Sequence, residues 1–309
     1  MSAETRPERG RLSGLPGPRV LGCRPVSEGE AGIVPAAQAG TSVLPQTHSL
    51  MPFLGEVHLV RALRQCGRRC SSPGADGVTW GDYRRAAAVR IPRLAVALRE
   101  GSWRPAPLRA NPFLTYTGKP LVCVIPTVED RLVHRALRNA IDHILEAGVL
   151  APWVSGYRPR RNRLTALRQA MTYLDKGFTW VADVDVARVS EGSNADEVTG
   201  WLAEHVHDGR FLDRFRTALS GLPYPLVSGT GLAPTLINLR LAPADRLLSD
   251  LRIVRFVDNY CAFTAGHAEA RQAMGRIERA IKEVGLAANP RKSRIRTSAC
   301  AEDLFLIDG

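Results

Sequence analysis

Three aspartates stand where a small sheet would bring their carboxylates together. Asp183 and Asp185 lie two residues apart in FTWVADVDVARV, whose alternation predicts a strand with both side chains on one face. Asp258 and Asn259 interrupt RIVRFVDNYCAFTAG, which predicts a β-hairpin with Asp258 at its tip. If the two strands are neighbours, Asp185 and Asp258 converge, and adjacent carboxylates repel each other unless a cation neutralises them. Mg²⁺ suits such a pair, because it prefers oxygen ligands and keeps waters that phosphate oxygens can replace.

Two simpler interpretations of these residues stay open at this point. Asp-Asn pairs tolerate left-handed backbone angles, so Asp258 and Asn259 could serve only to make the hairpin turn. Asp183 and Asp185 could equally be unrelated surface residues, because short motif matches are often spurious.

The charge balance of the chain favours a polyanionic partner. Its 309 residues carry 42 Lys and Arg against 30 Asp and Glu, a formal net charge of +12. Nucleic acid is the first candidate partner and an anionic membrane surface is the second. The sequence has no apolar run long enough to span a membrane and no secretory signal pattern, so we expect a cytoplasmic protein without a membrane partner.

The order of predicted elements indicates an α+β protein with a small antiparallel sheet packed on helices. Residues 1–50 are rich in Gly, Pro and Ser and are expected to be a disordered leader, with Met51 as an alternative start to Met1. Residues 51–309 are expected to form one domain. Within it, the sequence predicts one unbroken helix from the WGDYRRAAA stretch to Gly101, and a short strand at DLFLID.

A series of motifs, in one order over about residues 55–307, then points to a family. The stretches are GADGVTWGDYRR, IPTVEDRLVHRAL, SGYRPRRNRLTAL, VADVDVARVSEG, LVSGTGLAPTLINLRLAPADRLL, RFVDN and GLAANPRKSRI. In these stretches the chain resembles bacterial reverse transcriptases, in particular the group II intron maturase-like branch. The resemblance implies the fingers and palm of an RNA-directed DNA polymerase, without the thumb that would follow.

The resemblance also implies roles for individual residues. Asp185 and Asp258 would bind Mg²⁺, or Mn²⁺ in its place, with Asn259 as a weaker ligand, and Lys292 would act as a general acid or phosphate contact. The arginines of the RPRRNR run are expected to contact phosphates; they are Arg158, Arg160, Arg161 and Arg163. The implied partners are an RNA template, a nucleic-acid primer, deoxynucleoside triphosphates and a separate chain that carries a thumb.

Several positions depart from the family pattern, and most of them concern the nucleotide. Asn259 stands where the family has a second aspartate, and Asn259→Asp is expected to lower the Mg²⁺ requirement. Ser190 replaces an aromatic residue that excludes ribonucleotides, and Gly229 is kept while its neighbouring glutamine is Ser228. Thr115 and Leu121 replace cationic positions, although Gly118 and Lys119 remain. The alternative interpretation is therefore a catalytically inactive RNA-binding protein of this family, or a fragment of a longer enzyme.

Overall fold

The structure, a computed structural model, describes residues 49–67, 71–114, 118, 120–298 and 300–305, without the side chains of 113, 120 and 121. Three sequence expectations therefore lie outside the described residues. They concern residues 1–48 of the leader expected over residues 1–50, the residues Thr115 and Lys119, and the side chain of Leu121.

Nine α-helices form just under half of the described residues. They are α1 (Glu56–Cys66), α2 (Trp80–Arg85), α3 (Ala87–Glu100), α4 (Val128–Ile144), α5 (Arg163–Leu174), α6 (Ala195–Ala203), α7 (Gly209–Ser220), α8 (Ala233–Arg246) and α9 (His267–Glu283). None of these helices combines the length and apolar character that crossing a bilayer requires.

The helix predicted from the WGDYRRAAA stretch to Gly101 ends where expected, but it is two helices and not one. Gly101 has a left-handed φ of 83°, which glycine adopts without steric penalty, and so stops α3. A break at Ala86 separates α2 from α3. The break lets α2 make its own tertiary contacts, because the Trp80 indole donates to Ser71 Oγ at 2.8 Å and the Tyr83 hydroxyl donates to Glu129 at 3.2 Å.

Two antiparallel sheets accompany the helices. The first is a ribbon of β1 (Arg109–Leu114) and β2 (Pro120–Ile125). The second contains β3 (Trp180–Ala187), β4 (Ile253–Phe256), β5 (Asn259–Thr264), β6 (Ala287–Ala288) and β7 (Arg294–Thr297). Its order is β4-β5-β3, and both β6 and β7 pair with the other edge of β3. The α+β class with a small antiparallel sheet is confirmed. The strand predicted at DLFLID, residues 303–308, is wrong over 303–305, because Asp303 ends the 3₁₀ turn Ala301–Asp303 and the next two residues form a bend, whereas residues 306–308 lie outside the described residues.

The two faces of the larger sheet belong to different hydrophobic cores. Val184 and Tyr260 face the main core, which also includes buried residues of α8 and α9. Val181 and Phe263 face a smaller core that is closed by α5 and Leu304. Because side chains alternate along a strand, Asp183 and Asp185 continue the row that Val181 begins, on the face of the smaller core.

Candidate active site

The pairing of β3 with β5 brings the predicted carboxylates together. Asp185 lies directly opposite Asn259, and the Val186 amide donates to the Asp258 carbonyl at 3.0 Å. Phe256 pairs with Asn259, so the two-residue hairpin loop is Val257–Asp258. Asp258 at the hairpin tip is confirmed, but Asn259 begins β5 and is not part of the turn.

The hairpin turn holds a backbone conformation that valine rarely adopts. Val257 has a φ of 60°, and a β-branched side chain is strained there. The Arg255 guanidinium holds the Val257 carbonyl at 2.6 Å. Gly156 lies against the other side of the turn, where a Cβ atom would come within 2.1 Å of the Val257 nitrogen. Glycine is therefore required at position 156 for the chain to pass so close to the turn.

A buried polar network on α8 anchors this turn. Arg255 is fully buried and makes two bonds to the Asp245 carboxylate, at 3.0 and 2.6 Å. The Tyr260 hydroxyl donates to Asp245 at 2.8 Å, and Asn238 accepts from Arg255 at 3.0 Å while donating to the Gly156 carbonyl at 2.9 Å. A buried charge is tolerated when its hydrogen bonds are satisfied in this way. The sequence motifs do not indicate this network, although an arginine in an otherwise apolar strand is a signal for it.

The two carboxylates interact electrostatically. Burial, followed by the negative charge of Asp185, raises the pKa of Asp258 to about 6, against the opposing influence of Lys292 and Arg255. Lys292 Nζ lies 3.9 Å from Asp185 Oδ2, and the Asn289 amide donates to Asp185 Oδ1 at 3.2 Å. Two repelling carboxylates, Asp185 on β3 and Asp258 at the hairpin turn, form a donor set that suits Mg²⁺, since a cation relieves their repulsion. In the described part of the chain, no three His, Cys, Asp or Glu side chains form a metal-binding group.

Asp183 has partners of its own. Arg296 lies 3.0 Å from its Oδ2 atom, and the Asn259 amide donates to its Oδ1 atom at 2.8 Å. The Asn259 Oδ1 atom in turn lies 3.5 Å from Cys261 Sγ. Asn259 is thus engaged with Asp183 on the sheet, next to the Asp185 and Asp258 pair.

A cleft of about 240 Å³ opens beside Asp258. Ser190 and Gly229, both predicted to handle the nucleotide, line this cleft, as do Tyr157 and Ser228. Gly229 has a φ of 102°, and a Cβ atom there would meet the Val124 carbonyl of β2 at 2.1 Å, so only glycine fits. Burial, followed by the charge of Asp258, raises the pKa of Tyr157.

The four arginines predicted to contact phosphate have different surroundings. Arg158 is buried and forms a bidentate ion pair with Glu146, both bonds at 2.8 Å. Arg161 donates to the carbonyls of Pro152 and Val154. Arg163 donates to three carbonyls near the 3₁₀ turn; they belong to Glu302, Leu304 and Phe305. Arg160 is exposed, on a left-handed backbone with φ 62°, and is the best placed of the four to meet a polyanion.

Comparison with known proteins gives one partial likeness. No protein-family model matches the chain. The chain is similar to Protein YkfC of Escherichia coli (strain K12), with 27% identity over 197 residues, which cover 58% of this chain and 50% of that protein. The match thus spans about half the length of the curated relative.

Proposed function

We propose that this chain is the fingers-and-palm part of an RNA-directed DNA polymerase, with a weakened centre for metal-dependent nucleotidyl transfer. The observation that carries the proposal is the convergence of Asp185 and Asp258, which the β3–β5 register and the Val257–Asp258 turn produce. The Arg-rich surface charge and the ordered motif series support a nucleic-acid partner.

Under this proposal, the residues at the site have distinct roles. Asp185 and Asp258 would hold Mg²⁺, which when bound supplies charge neutralisation at the transferring phosphoryl group. The Lys292 ammonium, 3.9 Å from Asp185, is placed to meet a phosphate that approaches the pair. The cleft lined by Ser190, Ser228 and Gly229 would take the nucleotide next to Asp258.

The activity is weakened because the hairpin supplies one carboxylate. Asn259 offers an amide, and its nitrogen is already bonded to Asp183. An amide oxygen is a poorer ligand for Mg²⁺ than a carboxylate, so a second ion would be held loosely.

The same bond favours a second candidate function, in a different class. With Asn259 engaged by Asp183 and Asp183 paired to Arg296, the sheet could serve only as a scaffold. The protein would then bind RNA through its positive charge without catalysing nucleotide transfer.

Primer extension across a titration of Mg²⁺ and Mn²⁺ separates the two candidates. We expect the wild type to extend a primer on an RNA template, and Asp258→Asn and Asp185→Asn to lose extension while keeping RNA binding. The exposed Asp175→Asn is the matched control and should retain activity. No extension by any of the four proteins, with RNA binding intact, favours the non-catalytic function. Extension that survives Asp258→Asn refutes the proposed centre.

A further inference from the structure

The turn that follows β3 presents Ser190 to the cleft, and it requires external support. Arg188 has a φ of 49°, a left-handed conformation that is uncommon for a residue other than glycine. Within the turn, the Glu191 amide donates to the Arg188 carbonyl at 2.9 Å. A strained turn persists only where its surroundings hold it in place.

Arg240 of α8 supplies that support from behind. One guanidinium nitrogen, Nη1, donates to the Val189 carbonyl at 2.8 Å and to the Glu191 carbonyl at 2.6 Å. The two carbonyls belong to the residues on either side of Ser190. Arg240 therefore fixes the backbone of this turn on both sides of the side chain that lines the cleft.

The surroundings of Arg240 make these two bonds firm. Arg240 and Val189 are each only 6% exposed, so water competes little for the bond to the Val189 carbonyl. The bond to the Glu191 carbonyl is partly buried. The guanidinium also stacks over the Trp201 ring of α6, with 5.5 Å between the guanidinium carbon and the ring centroid. The Arg240 Nε atom is buried without a hydrogen-bond partner. A buried cation whose hydrogen bonds are not all satisfied contributes little to the stability of the fold. Its presence here therefore indicates a role other than stability.

Position along α8 links Arg240 to the cleft. Ala233, Pro234 and Ile237 of the same helix line the cleft beside Asp258. Arg240 lies three residues beyond Ile237, which places both on one side of the helix. The helix thus forms one wall of the cleft directly and holds the Ser190 wall through Arg240.

We infer that Arg240 is a positioning residue that sets the shape of the nucleotide-facing wall at Ser190, and through it the choice between ribose and deoxyribose. The inference rests on the proposed function, because it assigns the cleft to a nucleoside triphosphate. The Ser190 side chain would meet the sugar, and Arg240 would act only through the Val189 and Glu191 carbonyls.

The test compares Arg240→Met with Arg214→Met as a matched control. Arg214 is another buried arginine, 9% exposed, whose Nε donates to the Leu98 carbonyl at 2.7 Å and which does not line the cleft. Single-nucleotide primer extension with ATP and with dATP gives kcat and KM for each protein. We expect Arg240→Met to raise the nucleotide KM about tenfold or more and to change the ribose-to-deoxyribose ratio, since small displacements of a positioning group have effects of this size. Arg240→Lys, which keeps a cationic hydrogen-bond donor, should retain part of the function that Arg240→Met loses.

Two further measurements keep the inference separate from the proposed function. The Glu191 amide should exchange its hydrogen faster in Arg240→Met than in the wild type, and at an unchanged rate in Arg214→Met. Equilibrium dialysis with labelled ATP and dATP, in the presence of Mg²⁺, reports binding without turnover. A wild type that neither extends primers nor binds nucleotide overturns the proposed function and the sugar-selecting role with it. A wild type that does both, with Arg240→Met indistinguishable from Arg214→Met in KM, ratio and exchange, overturns the role of Arg240 alone.

Discussion

Replacing Asn259 with aspartate should destabilise the protein before it improves any metal site. In the structure the Asn259 amide donates to Asp183 Oδ1 at 2.8 Å, so Asn259→Asp exchanges a donor for a second carboxylate at that distance. Losing a hydrogen bond to a charged group costs roughly 1.5–3 kcal/mol. Like-charge repulsion adds to this loss, and the Arg296 cation, 3.0 Å from Asp183, offsets part of it. We expect a net loss of about 2–4 kcal/mol in the free energy of unfolding at pH 8 without Mg²⁺.

The pH and metal dependence of this loss have definite signs. Protonating one of the two carboxylates restores a donor between positions 183 and 259, so the loss should shrink as the pH is lowered towards 5. If the new carboxylate also completes a cation site with Asp258 and Asp185, Mg²⁺ should raise the stability of Asn259→Asp more than that of the wild type.

Urea unfolding at pH 5 and pH 8, with and without Mg²⁺, measures both effects. The exposed Asn111→Asp adds the same charge on β1 and serves as the control. The double change Asp183→Asn with Asn259→Asp should recover most of the loss, because an amide then donates to a carboxylate in the opposite direction. An Asn259→Asp protein as stable as the wild type at pH 8 without Mg²⁺ would refute the reasoning.

Three further predictions follow from single residues. Arg160→Ala should lower the slope of log affinity against log salt for single-stranded RNA by about 0.7, as expected for one lost phosphate contact, and an unchanged slope would show that it makes none. Burial lowers the pKa of His134 to about 4, so the folded state resists protonation. The free energy of unfolding should therefore fall by about 3 kcal/mol between about pH 6.5 and pH 4, relative to that of His134→Leu, as measured by urea unfolding. If the unfolding free energies of the two proteins change in parallel with pH, the burial argument is contradicted. Gly156→Ala should destabilise by about 1–3 kcal/mol through the clash with the hairpin turn, and Gly148→Ala, where a Cβ meets open space, should not. Equal stability of the two alanine variants would show that the hairpin turn moves to accommodate the added methyl group.

Local patterns were sufficient to predict the elements that carry the carboxylates. The alternation around Asp183 and Asp185 has the period of a strand, and the apolar segments around Asp258 have the period of a hairpin. The strand and the hairpin depend on residues within about ten positions of one another, so the sequence expresses them directly. Ser190, which lines the cleft, was identified only through the resemblance to the family.

Side-chain partners distant in the chain could not be predicted. Arg255 meets Asp245 and Asn238 because a helix and a hairpin pack together, and no local period records that contact. Arg158 belonged to a run that suggested a solvated basic surface, yet it is buried against Glu146. The strand β1 was also missed, since Pro112 and Asn111 within it argue against a strand when read locally.

The pairing of β3 has a consequence for synthesis on the ribosome. β3 ends at residue 187, while its partners β5, β6 and β7 span residues 259–297. At about 5–20 residues per second, the first partner, β5, is complete roughly 4–15 seconds after β3, which until then has two unpaired edges. The edge that β6 and β7 cover stays unpaired for about 2–7 seconds longer. Unpaired edges of an apolar strand invite association with other chains. During this interval α4 and the other early helices of the nascent chain can already pack. The strand bearing Asp185 escapes association only if chaperones cover its edges or if the rest of the chain is synthesised quickly.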